Sequence, residues 1–112
     1  MLDTAIKYAA IAFEGKFDKG GHPYILHCLH VMGQMPEEDH DLRCIAVLHD
    51  IVEDTDWTVD RIRHIFNDRI ANGVRQMTHV EGESYGEYLC RIGESYDACM
   101  VKLADLNTSK GL

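Results

Sequence analysis

The sequence predicts an all-α fold, one compact bundle of five to seven short helices. Three observations carry this. Apolar residues recur at intervals of three and four along most of the chain, the spacing of one helix face. No segment alternates apolar and polar residues as a half-buried strand does, and neither an internal repeat nor a low-complexity tract is present. At 112 residues the chain has room for one domain, spanning 1–112, and one core. It is too short for a (β/α)₈ barrel, which needs about 250 residues. A composition 46% hydrophobic and 27% charged belongs to a globular chain and not to a disordered one.

The elements follow in order. Ile6, Ala9, Ala10 and Phe13 fall on one face of a first helix, with Asp3 placed to cap it. Gly15 to Gly21 breaks the pattern, and Gly20-Gly21 marks a loop. Pro23 suits the first turn of a second helix, where its missing N–H costs nothing; this helix carries His27, His30 and Val31 and stops before Pro36. The acidic run 36–41 reads as a loop whose last carboxylates favour the next helix N-terminus. Leu42 to Val52 is nearly all apolar, the strongest core-helix candidate, interrupted by His49 and Asp50 and closed by Glu53 and Asp54. Thr58 caps a short helix with Val59, Ile62, Ile65 and Phe66 inward, and Asn67 or Asp68 starts another with Ile70, Val74 and Met77. Ser84 and Glu87 form a capping-box pair before Tyr88, Leu89 and Ile92. Ser95 caps a last helix bearing Ala98, Val101, Ala104 and Asp105.

Eleven basic and 19 acidic residues give a formal net charge of −8. Such a surface is a poor partner for nucleic acid, where phosphate neutralisation supplies most of the affinity, and for an anionic membrane. An anionic substrate would need a local positive centre, and a metal ion is the usual device. Cys28, Cys44, Cys90 and Cys99 show no Cys-x-x-Cys spacing and sit in apolar stretches, as buried free thiols do. No run approaches the roughly 18 apolar residues of a membrane helix. The start, Met1-Leu2-Asp3, lacks the basic and apolar regions of a signal peptide. The expectation is a soluble protein of the reducing cytoplasm.

The chemistry is concentrated in His49-Asp50-Ile51-Val52-Glu53-Asp54. On a helix, residues four apart share a face, so His49 lies under Glu53 and Asp50 under Asp54. Burying unpaired carboxylates is expensive, and a divalent cation held by His49 and Asp50 would offset that cost. A first-row metal with open positions needs further N and O ligands. His27 and Asp105 are the best candidates, each a polar residue on an inward-facing helix. Alone, His27 reads as a satisfied core histidine and Asp105 as a helix-end residue; with the His-Asp-x-x-Glu-Asp string beside them, the ligand reading prevails. His22, His30, His40, His64 and His79 are expected to be structural or surface residues, and Lys102 to belong to its helix.

The order His27, His49-Asp50, Asp105 resembles the H…HD…D pattern of the HD metal-dependent phosphohydrolases. The stretches 18–27, 48–55 and 101–106 are similar to the guanosine polyphosphate (ppGpp) pyrophosphohydrolase branch, which holds the RelA/SpoT hydrolase domain and the small alarmone hydrolases. The resemblance implies a single HD domain with His27, His49, Asp50 and Asp105 as metal ligands, normally for Mn²⁺. It implies Glu53 and Asp54 as the acidic pair beside the attacking water, and Lys19 and Asn107 as substrate-binding residues. It also implies a phosphorylated nucleotide as the small-molecule partner. The chain departs from the branch at Asp18, where an arginine that packs on guanine is usual, and at Phe13, where His is common. It departs again at Asn107-Thr108-Ser109, which places Asn two residues after Asp105 instead of four. An exposed Asp18 predicts weak ppGpp hydrolysis that Asp18→Arg would improve. Members usually continue with further helices, so the expectation for 1–112 is a minimal domain, one lacking residues near Asn107, or one shortened at its C-terminus. The leading expectation is a metal-dependent phosphohydrolase acting on a nucleotide or nucleotide pyrophosphate. The alternative is a catalytically weak HD-fold module that senses a nucleotide; the intact Glu53-Asp54 pair speaks against it. A closed structural metal site would be rich in Cys, and the candidate ligands include none.

Overall fold

Asp39, Thr58, Asn67 and Ser84 each turn a side-chain oxygen onto a backbone N–H of the helix that follows, at 2.8–3.2 Å. These caps satisfy donors that a helix start leaves open. Glu87 returns the bond to Ser84 N, completing the predicted capping box. The computed structural model describes residues 1–110, with side chains through Thr108; the side chains of Ser109 and Lys110 and all of residues 111 and 112 lie outside the described residues. The elements are α1 (Leu2–Ala12), α2 (Tyr24–Gly33), α3 (His40–Leu48), α4 (Ile51–Asp54), α5 (Val59–Ile65), α6 (Asp68–Met77), α7 (Tyr85–Gly93) and α8 (Tyr96–Lys110). Seven are true helices and α4 is a single turn, an all-α fold as predicted; among the described residues the only β feature is an isolated bridge between Phe17 and Pro23.

Helix α3 lies at the centre. Leu42 and every residue from Cys44 to Leu48 are buried, so it presents almost no solvent face, and it packs against α1, α2, α6 and α8. Helix α6 approaches α3 closely at Gly73, where a Cβ would stand 2.5 Å from Ile45 Cδ1 and 2.8 Å from Cγ1. Gly73→Ala is therefore expected to overpack this contact. The cost of about 1–3 kcal/mol exceeds the helix propensity of about 1 kcal/mol gained, for a net loss of about 1 kcal/mol. Chemical denaturation would show that loss, and Ile45→Val in the same chain should recover part of it.

Four expectations are corrected. The predicted core helix 42–52 splits: α3 ends at Leu48 and His49-Asp50 form a turn, with Asp50 at φ −100°, ψ 1°. Side-chain bonds accompany this break, His49 Nδ1 to Ala46 O at 2.7 Å and Tyr24 Oη to Asp50 Oδ2. The inner stripe of α1 is Ala5, Ala9 and Phe13, with Ile6 half-buried and Ala10 exposed; Asp3 makes no side-chain cap. Pro23 is the N-cap of α2 and not its first residue. Cys28 and Cys44 are buried free thiols, but Cys90 is exposed and Cys99 half-buried.

Candidate metal centre and cleft

The break after α3 brings the site together. His49 points inward from it and is 1% exposed. His27 comes from the inner face of α2 and Asp105 from α8, and the two helices pack side by side. One ligand atom from each of His27, His49 and Asp105 lies within 4.8 Å of the others. His27 Nε2 stands 2.8 Å and His49 Nε2 3.5 Å from Asp105 Oδ1, and His49 Nε2 stands 3.0 Å from Asp50 Oδ2. Asp50 thus borders the trio through His49, while the Tyr24 hydroxyl donates to the same Oδ2.

The donor set fits a divalent cation. The Ala46 carbonyl accepts a hydrogen bond from His49 Nδ1–H, which in the neutral imidazole leaves Nε2 with its lone pair. That atom is fully buried and has no hydrogen-bond donor, although two carboxylate oxygens face it. Acceptors converging on acceptors call for a positive charge between them. With no cation a proton takes that place: burial resists it, yet Asp50 and Asp105 overcome burial and push the His49 imidazole up to about 10. Burial likewise works to raise Asp105, but its contacts with His27 and His49 prevail and hold the carboxyl well below the usual range. Lys102 Nζ reaches Asp105 Oδ2 at 3.3 Å, so the ammonium steadies the carboxylate oxygen that does not face the histidines.

While His49 is buried and does not line it, His27, Asp50 and Asp105 of this cluster line a cleft of about 610 Å³. Its other wall is the 15–23 loop, from which Phe17, Asp18, Lys19, Gly20 and His22 line the opening. Lys19 thus lines the same cleft as His27, Asp50 and Asp105. Asp18 does not stand free at the substrate position. Its Oδ1 accepts from Gly20 N and His22 N, each at 2.9 Å, and lies 3.4 Å from His22 Nδ1. The His22 N–H, with the Gly20 N–H, outweighs burial and keeps this carboxyl below its ordinary range. The expectation that Asp18→Arg would leave the loop intact and improve binding is therefore reversed. The variant is expected to free the Gly20 and His22 amides for fast hydrogen exchange and to weaken ligand binding. Protection of those amides at the wild-type level would show that the loop closes without Asp18.

The remaining residues divide. Glu53 Oε1 accepts from His79 N at 2.7 Å, so this carboxylate is anchored to the connection after α6. Asp54 borders the recess formed with Lys16, Phe17 and Tyr24, beside the cleft. Burial, then Asp50 and Glu53, raise its carboxyl above the ordinary value. Asn107 is not brought to the cleft: it is exposed on α8, about 200° around the helix from Asp105. Its neighbour Thr108 is buried against Gln34. Sequence reasoning missed Tyr24, His22 and Phe17 as cleft residues. A signal existed for Tyr24, which precedes His27 by three residues and so shares its helix face. None existed for His22 and Phe17, whose placement depends on loop closure.

Comparison with known proteins agrees with this geometry. The HD domain family profile matches residues 5–94. A guanosine-3′,5′-bis(diphosphate) 3′-pyrophosphohydrolase of Aquifex aeolicus is 33% identical over 97 residues, covering 78% of this chain and 14% of its own length. One of the same name from Haemophilus influenzae is 28% identical over 107 residues, covering 84% of this chain and 16% of its own. The chain thus spans only a small part of these curated relatives. A solved metazoan SpoT ortholog, described as hydrolysing ppGpp and acting in starvation responses, superposes with a TM-score of 0.81. It is 26% identical, and the match covers 96% of this chain and 67% of that one. Sequence and fold agree over the same stretch, and the chain belongs to the HD domain family.

Proposed function

We propose that this HD domain, spanning 1–112, is a metal-dependent phosphohydrolase that releases pyrophosphate from the 3′ position of a guanosine polyphosphate in the cytoplasm. The observation that carries the reading is the convergence of His27, His49 and Asp105 within 4.8 Å of one another, beside a cleft lined by His27, Asp105 and Lys19. His27, His49, Asp50 and Asp105 would hold the cation, and the resemblance favours Mn²⁺. When bound, such a cation supplies Lewis acidity toward a phosphoryl oxygen and lowers the pKa of water. Lys19 offsets the negative charge of the incoming phosphates. Asp54 accepts the proton of the attacking water, a role suited to a carboxyl raised above its ordinary value. Glu53, fixed by the His79 amide, holds the chain segment that carries Asp54. Tyr24 orients Asp50 through its hydroxyl.

The test is turnover of guanosine 3′,5′-bis(diphosphate) by Mn²⁺-loaded protein, read as pyrophosphate release, against the same protein stripped by chelator. Metal-dependent release of pyrophosphate is the expected result. Saturable nucleotide binding without release would instead establish the sensor reading, which the exposed position of Asn107 favours.

A further inference from the structure

Phe17 is a large apolar side chain left 63% exposed, on a loop held by backbone hydrogen bonds. The segment is tied across itself by the Phe17–Pro23 bridge, with Asp18 N bonded to His22 O and Tyr24 N to Lys16 O, both at 2.9 Å. Asp18 closes the turn from inside through Gly20 N and His22 N. Phe17 lines the cleft of His27, Asp50 and Asp105 on one side and the recess with Lys16, Tyr24 and Asp54 on the other, so it forms the ridge between them. Lys19 stands two residues along the same loop and lines the same cleft.

We infer that Phe17 is the platform on which the base of the nucleotide stacks, while Lys19 and the metal cluster take its phosphates; this rests on the hydrolase reading for the ligand class. A planar base finds a π-face in phenylalanine, and base–aromatic stacking needs no hydrogen-bond readout. Because the loop is already tied down, little ordering opposes the contact. Asp18 commits Oδ1 to the loop and has no π-face to offer a base, so stacking here comes from its neighbour.

The experiment compares two ligands on the Mn²⁺-loaded full chain by calorimetry: GDP, which has a base, and ribose 5-phosphate, which has none. Phe17→Ala is expected to weaken GDP by about five- to hundredfold, to leave ribose 5-phosphate unchanged, and to raise KM for guanosine 3′,5′-bis(diphosphate) with little change in kcat. Phe17→Trp should restore GDP affinity, and Tyr96→Ala, an exposed aromatic outside the cleft, should bind as wild type does. Three results would overturn the inference: GDP binding unchanged in Phe17→Ala, an equal loss for both ligands, or no binding of GDP by the wild type. Base-dependent binding through Phe17 in a protein that releases no pyrophosphate would keep the platform and remove the hydrolase reading.

Discussion

Mn²⁺ at about a hundred times its dissociation constant is expected to raise the melting temperature by about 10 °C, and Asp105→Ala is expected to abolish that rise. A ligand bound only by the native state at this concentration stabilises it by about 2.7 kcal/mol, and a chain of this size gains about 4 °C per kcal/mol. The cation would meet buried His49 Nε2, which faces two carboxylate oxygens and has no hydrogen-bond partner of its own. Asp105 is the member both histidines meet, at 2.8 and 3.5 Å, so no remaining pair of ligands can compensate for it. Affinity should fall by more than the 10–100-fold typical of a lost outer-shell partner. The quantity to compare is the metal-induced shift in each protein, since the variant also loses its apo ion pairs. A rise of full size in Asp105→Ala, or in the double variant His49→Ala, Asp50→Ala, would place the metal elsewhere.

Much of this site was legible because its signals are local. Caps such as Ser84-Glu87 and Asn67 depend on chemistry within three residues, and they stand where the sequence placed them. His27, His49 and Asp105 were legible as polar residues on faces otherwise apolar, and the core of α3 as an unbroken apolar run. What sequence could not supply were contacts between distant segments. The helix break at His49-Asp50 coincides with the Tyr24 hydroxyl reaching Asp50, a partner 26 residues away. The inward turn of Asp18 depends on a loop closing on itself, and its charge alone suggested a repulsive surface residue. The stripe of α1 shifted because Ala5 and Ala9 are small enough to pack tightly, a preference that hydrophobicity at helical spacing does not encode. Asn107 is different: helical phase alone puts it on the far side of α8 from Asp105, so that misplacement was visible in the spacing.

Asp54→Asn is expected to lower turnover by about 10²–10⁴, the range for lost acid–base catalysis, with metal content and fold unchanged. Glu53→Gln is expected to cost less than about tenfold. On sequence spacing the two carboxylates were equivalent, both one turn beyond the His-Asp pair. The structure separates them. Glu53 spends Oε1 on the His79 amide at 2.7 Å, and glutamine keeps a carbonyl oxygen able to accept that same bond. Asp54 borders the recess beside Tyr24 and Phe17, and its carboxyl is raised by burial and by its acidic neighbours. Asparagine preserves its shape but cannot take a proton. Glu53→Ala should fall further than Glu53→Gln, because it releases the His79 connection and with it the turn that aims Asp54. Steady-state turnover alongside metal analysis of all three variants separates these roles: a loss in Glu53→Gln as deep as in Asp54→Asn would mean that Glu53 itself meets the water.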